Sequence, residues 1–381
     1  MFLLHRKKRF DASFSALLFQ IQIILMPLFF AGVFWIPANP SQAAGTSYTI
    51  KQIGELPVGA THIVRAANDS GDIVGTIKRG KKGPKGAIWG DGGERGIVQP
   101  RPNSDYSVAL GINDDSQVVG STNTETGMRA FRSLGDGSSV FLELPPGDNS
   151  SAAIAVNSLG QVVGWSSGAG GVRAVTWDST GKAEVLVKLQ GSSACRALVI
   201  NNAGDIAGTC DFNSGYRAVL WKSAPGKSVI DLGMLPGDIW SVPSDINNKG
   251  DVVGTSGDAE RHRAVLWPKG AKTIKSLGVL TGRISSKALG VNAKGDVVGY
   301  SEGGNSREHA FIWTSKDGMK DLNDLLPANS GFVLVHAIAI NSRGAISAVG
   351  YDESMNPEGH LHDEQIPLRI FRLKNDNASL K

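Results

Sequence analysis

The sequence lacks the local signatures of the common enzyme classes. Its 381 residues contain no P-loop, no G-x-S-x-G elbow, no H-E-x-x-H pattern and no EF-hand calcium loop. The only cysteines, Cys195 and Cys210, do not have the paired spacing of a zinc site, and no histidine signature marks either as a nucleophile. The sequence therefore predicts no catalytic residue and no cofactor.

A large excess of charge of either sign is also missing. Lysine and arginine total 39 against 35 aspartate and glutamate, a formal net charge of +4. Four of those basic residues and one aspartate fall within residues 1–43, so the remainder of the chain is close to neutral. A protein that binds nucleic acid usually carries a basic surface, and this composition argues against that class of partner.

The first 43 residues have the three parts of an export signal. A basic stretch at residues 5–9 precedes a long apolar stretch at 16–37, and small residues at 41–43 suit a cleavage site. We expect cleavage, a secreted or periplasmic protein and no membrane contact afterwards. An uncleaved anchor is the alternative, because about 20 apolar residues can span a bilayer.

After this segment no helical apolar period is sustained, and seven copies of one phrase follow instead. Each copy has an apolar residue, Asn, two variable residues, Gly, and then a short Val/Ile run ending in Gly. The marker asparagines recur every 44 to 49 residues, at Asn68, Asn113, Asn157, Asn201, Asn247, Asn292 and Asn341. A period of this length indicates a repeat architecture.

Each unit supplies four short strand candidates. In the sixth unit they are residues 286–291, 296–300, 309–313 and 320–325. The first two are joined by an N-x-x-G turn, in which Asn and Gly tolerate positive φ; in the second unit Ser116 replaces the Gly. We interpret the asparagines as turn residues and give a ligand role little weight.

The strand before each marker has one small and one bulky face. Residues two, four and six before Asn113 are Gly111, Ala109 and Ser107, whereas Ile112 and Leu110 alternate with them. Such a strand is expected to be buried on both sides, with large residues packed against small ones of the next sheet. A tryptophan repeated in the third strand fits the same packing, at Trp89, Trp177, Trp221, Trp267 and Trp313.

Four strands per unit, buried on both faces, predict an all-β, seven-bladed β-propeller over residues 46–374, with a short disordered tail at 375–381. Residues 48–56 resemble a fourth strand and residues 368–373 a third strand, so the N-terminal strand is expected to complete the last blade. An open β-solenoid is the alternative, but it needs polar caps that the sequence does not have.

The cysteines test the register within one blade. Cys195 lies six residues before Asn201, and pairing across a four-residue turn at 201–204 places it opposite Cys210. Directly paired residues have Cα atoms roughly 4.5–5.5 Å apart, which a disulfide can span. We predict a disulfide within this blade, consistent with export to an oxidising compartment.

The repeats resemble a known bacterial family. The segments LGMLPGD (232–238), SDINNKGDVVGTS (244–256) and above all HAFIW (309–313) are similar to the HAF repeat of probable extracellular repeat proteins. The resemblance covers residues 48–373 and implies an exported protein with no catalytic residue to carry over. The histidine of the motif is kept only at His309; Arg129, Arg173, Arg217 and Arg263 replace it in other units.

Candidate binding residues lie where loops break the repeat, at the blade ends opposite the N-x-x-G turns. A basic loop contains Lys78, Arg79, Lys81, Lys82 and Lys85, and large aromatics occur at Trp165, Trp240 and Tyr300. The first suits an anionic partner and the second sugar stacking, although a solvated loop and buried rings are the simpler interpretations. The longest inserted loop contains metal-ligand types, namely His360, His362, Asp363 and Glu364.

These observations favour an exported, non-catalytic binding protein that presents loops to a glycan or to another protein of the cell envelope or extracellular space. We expect a monomer with no nucleic-acid partner. The alternative is an envelope polysaccharide hydrolase or lyase with its site at the mouth of the propeller channel.

Overall fold

Each of the seven repeats folds into one antiparallel sheet of four strands. The computed structural model describes residues 47–56, 63–78, 83–98, 100, 104–134, 138–223, 228–271, 273–303, 306–355 and 366–376. The first strand of each sheet contacts the first strand of both neighbouring sheets, and that of the seventh sheet contacts that of the first. The sheets therefore form a closed ring, and the predicted seven-bladed β-propeller is confirmed.

The N-terminal strand β1 (Tyr48–Leu56) belongs to the last blade, and blades 1 to 4 follow it in chain order. Blade 1 contains β2 (Ile63–Ala67), β3 (Ile73–Ile77), β4 (Lys85–Gly90) and β5 (Gly93–Val98). Blade 2 contains β6 (Ser107–Ile112), β7 (Val118–Thr124), β8 (Gly127–Ser133) and β9 (Ser139–Phe141). Blade 3 contains β10 (Asp148–Val156), β11 (Val162–Gly168), β12 (Gly171–Trp177) and β13 (Ala183–Val185). Blade 4 contains β14 (Ala194–Ile200), β15 (Ile206–Phe212), β16 (Gly215–Trp221) and β17 (Val229–Asp231).

Blades 5 to 7 complete the ring. Blade 5 contains β18 (Trp240–Ile246), β19 (Val252–Gly257), β20 (His262–Trp267) and β21 (Lys275–Gly278). Blade 6 contains β22 (Ser285–Val291), β23 (Val297–Gly303), β24 (Ser306–Thr314) and β25 (Gly318–Asp321). Blade 7 contains β26 (Phe332–Ile340), β27 (Ile346–Asp352), β28 (Leu368–Asn375) and β1. Short 3₁₀ helices follow β25 at Asn323–Leu325 and β27 at Glu353–Met355.

The ring is closed by its two termini. β1 pairs antiparallel with β28, from Tyr48 opposite Asn375 to Leu56 opposite Leu368, so the N-terminal strand completes the last blade as predicted. β28 includes Asn375, one residue beyond the predicted domain end, and the Asp376 backbone N–H donates to the Ser47 carbonyl. The predicted signal segment at 1–43 and residues 377–381 of the predicted tail lie outside the described residues.

The marker asparagines hold the turns between first and second strands. In all seven, the side-chain Oδ1 accepts the backbone N–H four residues later, at 2.8–3.0 Å. The residue three after Asn has positive φ in every turn; it is glycine in six, and Ser116 adopts φ 58° in the second. The interpretation of these residues as turn chemistry is therefore confirmed.

The same asparagines also join neighbouring blades, which the sequence did not predict. At five junctions the side-chain Nδ2 donates to the backbone carbonyl of the marker asparagine in the next blade, at 3.0–3.1 Å. Asn341 closes the ring by donating to the Asp69 carbonyl at 3.1 Å. We call this series of hydrogen bonds between described residues the asparagine belt. Asn292 instead donates to Asp296 within its own turn, so the belt is interrupted at the junction between blades 6 and 7.

Every blade has a β-bulge in its first strand. The register of the first two strands shifts by one residue three positions before the marker asparagine, for example between Ala109 and Gly111. The simple alternation expected for these strands therefore breaks at this position in every blade, and blades 3 and 7 have a second register shift nearer the start of the strand. The small residues still serve close packing: a Cβ added at Gly111 would lie 2.7 Å from the Ile154 carbonyl oxygen of the next first strand.

The repeated tryptophans and serines pack between sheets. The five third-strand tryptophans are at most 6% exposed, which confirms their predicted packing role. Serines six positions before the marker accept a backbone N–H from the third strand of the preceding blade, as Ser151 does from Ala130 and Ser241 from Ala218. These hydroxyls satisfy buried backbone donors at the blade interfaces.

Cys195 occupies this serine position in blade 4 and forms the predicted disulfide with Cys210, with Cα atoms 4.1 Å apart. The predicted pairing is correct, although the turn length was predicted one residue too short and a one-residue bulge was not predicted; the two differences compensate each other. The connection after Ile200 is five residues long, because Ile200 pairs with Ile206, and the bulge at Leu198 then restores the register that places Cys195 opposite Cys210.

Ser116→Gly is expected to stabilise the protein by about 0.5–1 kcal/mol, because glycine adopts positive φ without the steric strain of a Cβ. The matched control is Gly160→Ser in the equivalent turn of blade 3, where φ is 72° and an added Cβ has no neighbour closer than 3.6 Å. It should lose about 1 kcal/mol. Urea unfolding measures both; effects of the same sign would contradict this account of the turn.

Asn157→Ala should destabilise the ring by about 2–4 kcal/mol. The change removes donors to Asn201 and Gln161 and the acceptor for the Leu159 and Gln161 backbone N–H groups. Ser158→Ala is the control, since it removes only a side-chain contact to Asp114 at 3.3 Å. Chemical denaturation of both variants tests the belt, and equal losses would show that it has no special importance.

Candidate functional site

The antiparallel topology gives the ring two distinct ends. The marker turns lie at one end, where they surround a cavity of about 1010 Å³, here termed the turn-side cavity. The strand ends before and after each marker phrase lie at the other end, here termed the loop side. The sequence placed candidate binding residues on the loop side, and the structure brings several side chains together there in blades 5 to 7.

A chain of ionisable side chains crosses two blade junctions on the loop side. His262 Nε2, at the start of β20 in blade 5, lies 2.7 Å from Glu302 Oε1 near the end of β23 in blade 6. Glu302 also interacts with Glu308 on β24. Glu308 Oε2 in turn lies 2.6 Å from His336 Nε2 on β26 of blade 7. We call these four residues the His–Glu cluster.

Aromatic and basic side chains border the His–Glu cluster. The ring centroid of Trp240 lies 6.1 Å from that of His262, and that of Tyr300 lies 4.4 Å from that of His336. Lys287 Nζ lies 5.3 Å from the Tyr300 ring centroid. Trp240 and Tyr300, two of the predicted binding aromatics, therefore both border the His–Glu cluster.

The two aromatics are not equivalent. Tyr300 is 4% exposed, and burial together with the nearby carboxylates raises the pKa of its hydroxyl well above the usual value. The Tyr300 ring packs against His336 and offers no open face for a sugar. Trp240 is half-buried, its Nε1 donates to the Asp258 carbonyl at 2.9 Å, and its ring remains partly exposed.

Gly257 makes room for this arrangement at the end of β19. A Cβ at this position would lie 2.6 Å from the His262 Cβ and 2.8 Å from Cζ2 of Trp240. Nearby, Ile239 and Ile284 are 50% and 53% exposed, at equivalent positions before β18 and β22. The surface thus combines an indole face, two exposed aliphatic side chains and the charged cluster.

Glu302 is the most strongly perturbed carboxylate of the cluster. Burial alone would raise its pKa, but the interaction with His262 and the positive charge of Lys287 outweigh it and lower the pKa to about 2. At neutral pH Glu302 is therefore ionised and acts as the central anion between two blades.

The remaining predicted site residues are dispersed. Trp165 is half-buried on β11 of blade 3, Lys78 is exposed after β3, and Lys85 is half-buried at the start of β4. The other basic-loop residues, Arg79, Lys81 and Lys82, lie outside the described residues, as do the predicted metal ligands His360, His362, Asp363 and Glu364. In the described ranges no group of three or more His, Cys, Asp or Glu side chains is arranged to hold a metal ion.

The histidine of the HAF-like motif has a structural contact. His309 Nδ1 lies 2.6 Å from Asp321 Oδ2 on the neighbouring strand β25. At the equivalent positions of blade 4, Arg217 donates to Asp231 at 2.9 Å. His309 and Arg217 thus make the same link between third and fourth strands, whereas Arg173 pairs with Asp148 and Arg263 donates to the Ile284 carbonyl.

The turn-side cavity contains one unusual carboxylate. Asp245 lines it from β18, where its Oδ1 accepts the Ile246 backbone N–H at 2.8 Å and its Oδ2 accepts the Val291 backbone N–H at 2.9 Å. Burial raises the pKa of Asp245 to about 6, although the two backbone hydrogen bonds oppose the shift.

Sequence reasoning missed the His–Glu cluster and Asp245. The four cluster residues fall at different repeat positions on three blades, so no motif joins them. A signal for Asp245 was present, because the position two before the marker is Ala, Gly or Val in all other units. Only the loop-side aromatics were identified beforehand.

Solved structures with the same fold include enzymes. The chain is similar to a streptogramin B lyase, with 10% identity, a TM-score of 0.52 and coverage of 87% of this chain and 98% of that one. It is also similar to a catalytically inactive histidine-to-alanine variant of virginiamycin B lyase from Staphylococcus aureus with quinupristin, with 12% identity, a TM-score of 0.50 and coverage of 86% and 99%. A puromycin hydrolase variant gives 11% identity, a TM-score of 0.53 and coverage of 79% of this chain but 54% of that one.

At these identities the likeness shows the fold alone. No family model and no curated protein matches the chain. No helix within the described residues is long and apolar enough to cross a membrane.

Glu302→Gln should destabilise the protein by about 1–3 kcal/mol at neutral pH, because it removes the anion that pairs with His262 and Lys287. A carboxylate with a lowered pKa stabilises the fold above its unfolded pKa, and this contribution disappears as the pH falls towards 2. The difference between wild type and variant should therefore shrink between about pH 4.5 and pH 2. Denaturant unfolding over this range measures it, with the exposed Glu260→Gln as control; a difference independent of pH would contradict the ion-pair explanation.

Proposed function

We propose that the chain is an exported, non-catalytic binding propeller of the HAF-repeat type. Its ligand is a glycan, or a protein partner, of the cell envelope or extracellular space. The observation that carries the proposal is the loop-side surface of blades 5 to 7, where the partly exposed Trp240 lies beside the His–Glu cluster.

The chemistry of this surface supports a glycan ligand. An indole face stacks on the apolar face of a sugar ring, while carboxylates and imidazoles accept and donate hydrogen bonds to its hydroxyl groups. Exposed aliphatic side chains at Ile239 and Ile284 extend the contact area. Most of a typical binding site is provided by such a mixture of apolar surface and a few placed polar groups.

Export is supported by the disulfide. Cys195–Cys210 is buried in blade 4, and disulfides persist mainly in oxidising compartments. This agrees with the signal segment expected from residues 1–43, and both favour a secreted or periplasmic location.

The alternative is a hydrolase or lyase that acts on an envelope polysaccharide. Histidine–carboxylate pairs can transfer protons, and the His–Glu cluster contains two of them in contact. Propellers similar in fold are described as a lyase and a hydrolase. Incubation with envelope polysaccharides, followed by assay of released reducing ends and unsaturated products, distinguishes turnover from binding alone.

A glycan array with the purified protein, followed by titration of the best ligand, tests the proposal. Trp240→Ala should weaken binding by about tenfold or more, since stacked aromatic contacts contribute about 1–3 kcal/mol. Phe141→Ala is the matched control: this ring is 39% exposed but lies on β9 of blade 2. Binding that is unchanged in Trp240→Ala, or lost equally in both variants, would rule out this surface.

A further inference from the structure

The turn-side cavity is separate from the proposed glycan surface and has its own chemistry. The residue just before each marker asparagine lines it, and this residue is Ala, Val or Ile in all seven blades. These side chains form an apolar collar inside the ring of turns. Among the residues that the first strands contribute to the cavity wall, Asp245 is the only charged one, while the turns and outer strands contribute both acidic and basic side chains.

Asp245 departs from the repeat at a position where the backbone requires no acid. The equivalent residues of the other blades are Ala66, Gly111, Ala155, Val199, Gly290 and Ala339. A fold that six times accepts a small or aliphatic side chain here gains nothing in packing from a carboxylate. The acid accepts the Val291 backbone N–H of the next blade, a contact that the other six side chains cannot make, and it also lines the cavity.

The carboxylate is fixed in place but not neutralised. Its two oxygens accept the backbone N–H groups of Ile246 and Val291, which restrict its rotation and leave further lone pairs available. Within the described residues no ion pair joins it to a lysine, arginine or histidine. A partly buried carboxylate without a counter-charge is costly, and a cationic ligand group would remove that cost.

The cavity also has room beyond the collar. Thr314 and Asp317 of blade 6 and Tyr48 of blade 7 also line it, on the two sides of the junction where Asn292 donates within its own turn. A ligand longer than a single ammonium ion can be accommodated there.

We propose that Asp245 anchors a binding site for a primary ammonium group on a short apolar stem. The ammonium donates hydrogen bonds to the remaining lone pairs of the carboxylate, and the stem packs against the collar. Aliphatic amines and lysine-like side chains belong to this class. The site does not depend on the proposed glycan function, because the two lie at opposite ends of the propeller.

Titration calorimetry of the full chain with n-pentylamine tests the site, with 1-pentanol as the uncharged ligand of the same shape. Wild type should bind the amine at least about tenfold more tightly than the alcohol, because only the amine pairs with the carboxylate. Asp245→Asn should weaken amine binding by about tenfold or more. Asp317→Asn, which removes an exposed carboxylate from the outer part of the same cavity, should leave it unchanged.

Asp245→Ala gives a second test, since alanine occupies this position in three other blades and should preserve the fold. It should bind the amine no better than the alcohol. Amine binding that persists in a folded Asp245→Ala or Asp245→Asn protein, or wild type that does not distinguish amine from alcohol, would overturn the proposal. Either result leaves the Trp240→Ala experiment unaffected, so failure of one site is not failure of the other.

Discussion

The whole ring depends on one amide side chain used seven times. Each marker asparagine uses its oxygen to hold its own turn, and six use their Nδ2 to reach a backbone carbonyl of the next blade. Aspartate lacks the donor, and serine lacks both the reach and the two-ended amide. Local turn geometry and blade-to-blade spacing are therefore set by the same atoms, so that a blade with a correct turn also presents the correct contact to its neighbour.

The fold could be predicted because the information is local and repeated. The turn at Asn157–Gly160, the buried Trp177 and the pairing of Cys195 with Cys210 each follow from residues within one unit. The bulge three residues before each marker was not predicted, since no residue type distinguishes it: Leu110, Ser244 and others occupy it. The bulge changes only the pairing register of the first two strands, and in blade 4 the longer turn compensates for that change.

The candidate sites, in contrast to the fold, depend on residues that are neither close in sequence nor repeated. Trp240 stood out because a large aromatic interrupts the repeat, but His262, Glu302 and His336 come from three blades and meet only once the ring has closed. Their proximity depends on inter-blade geometry, which a single sequence does not reveal. The candidate site is thus formed by side chains of neighbouring blades, at positions whose residue type varies between repeats.

The pairing of β1 with β28 also affects the order in which the protein can fold. Among the described strands, β1 has no partner close to it in sequence and pairs with β28, more than 300 residues later. Until β1 and β28 pair, each presents an unpaired strand edge, the feature that invites wrong association between chains. Blades 1 to 6 can each form from one continuous segment, but blade 7 is complete, and the ring closed, only after the eight-residue β28 has been made and has paired with β1.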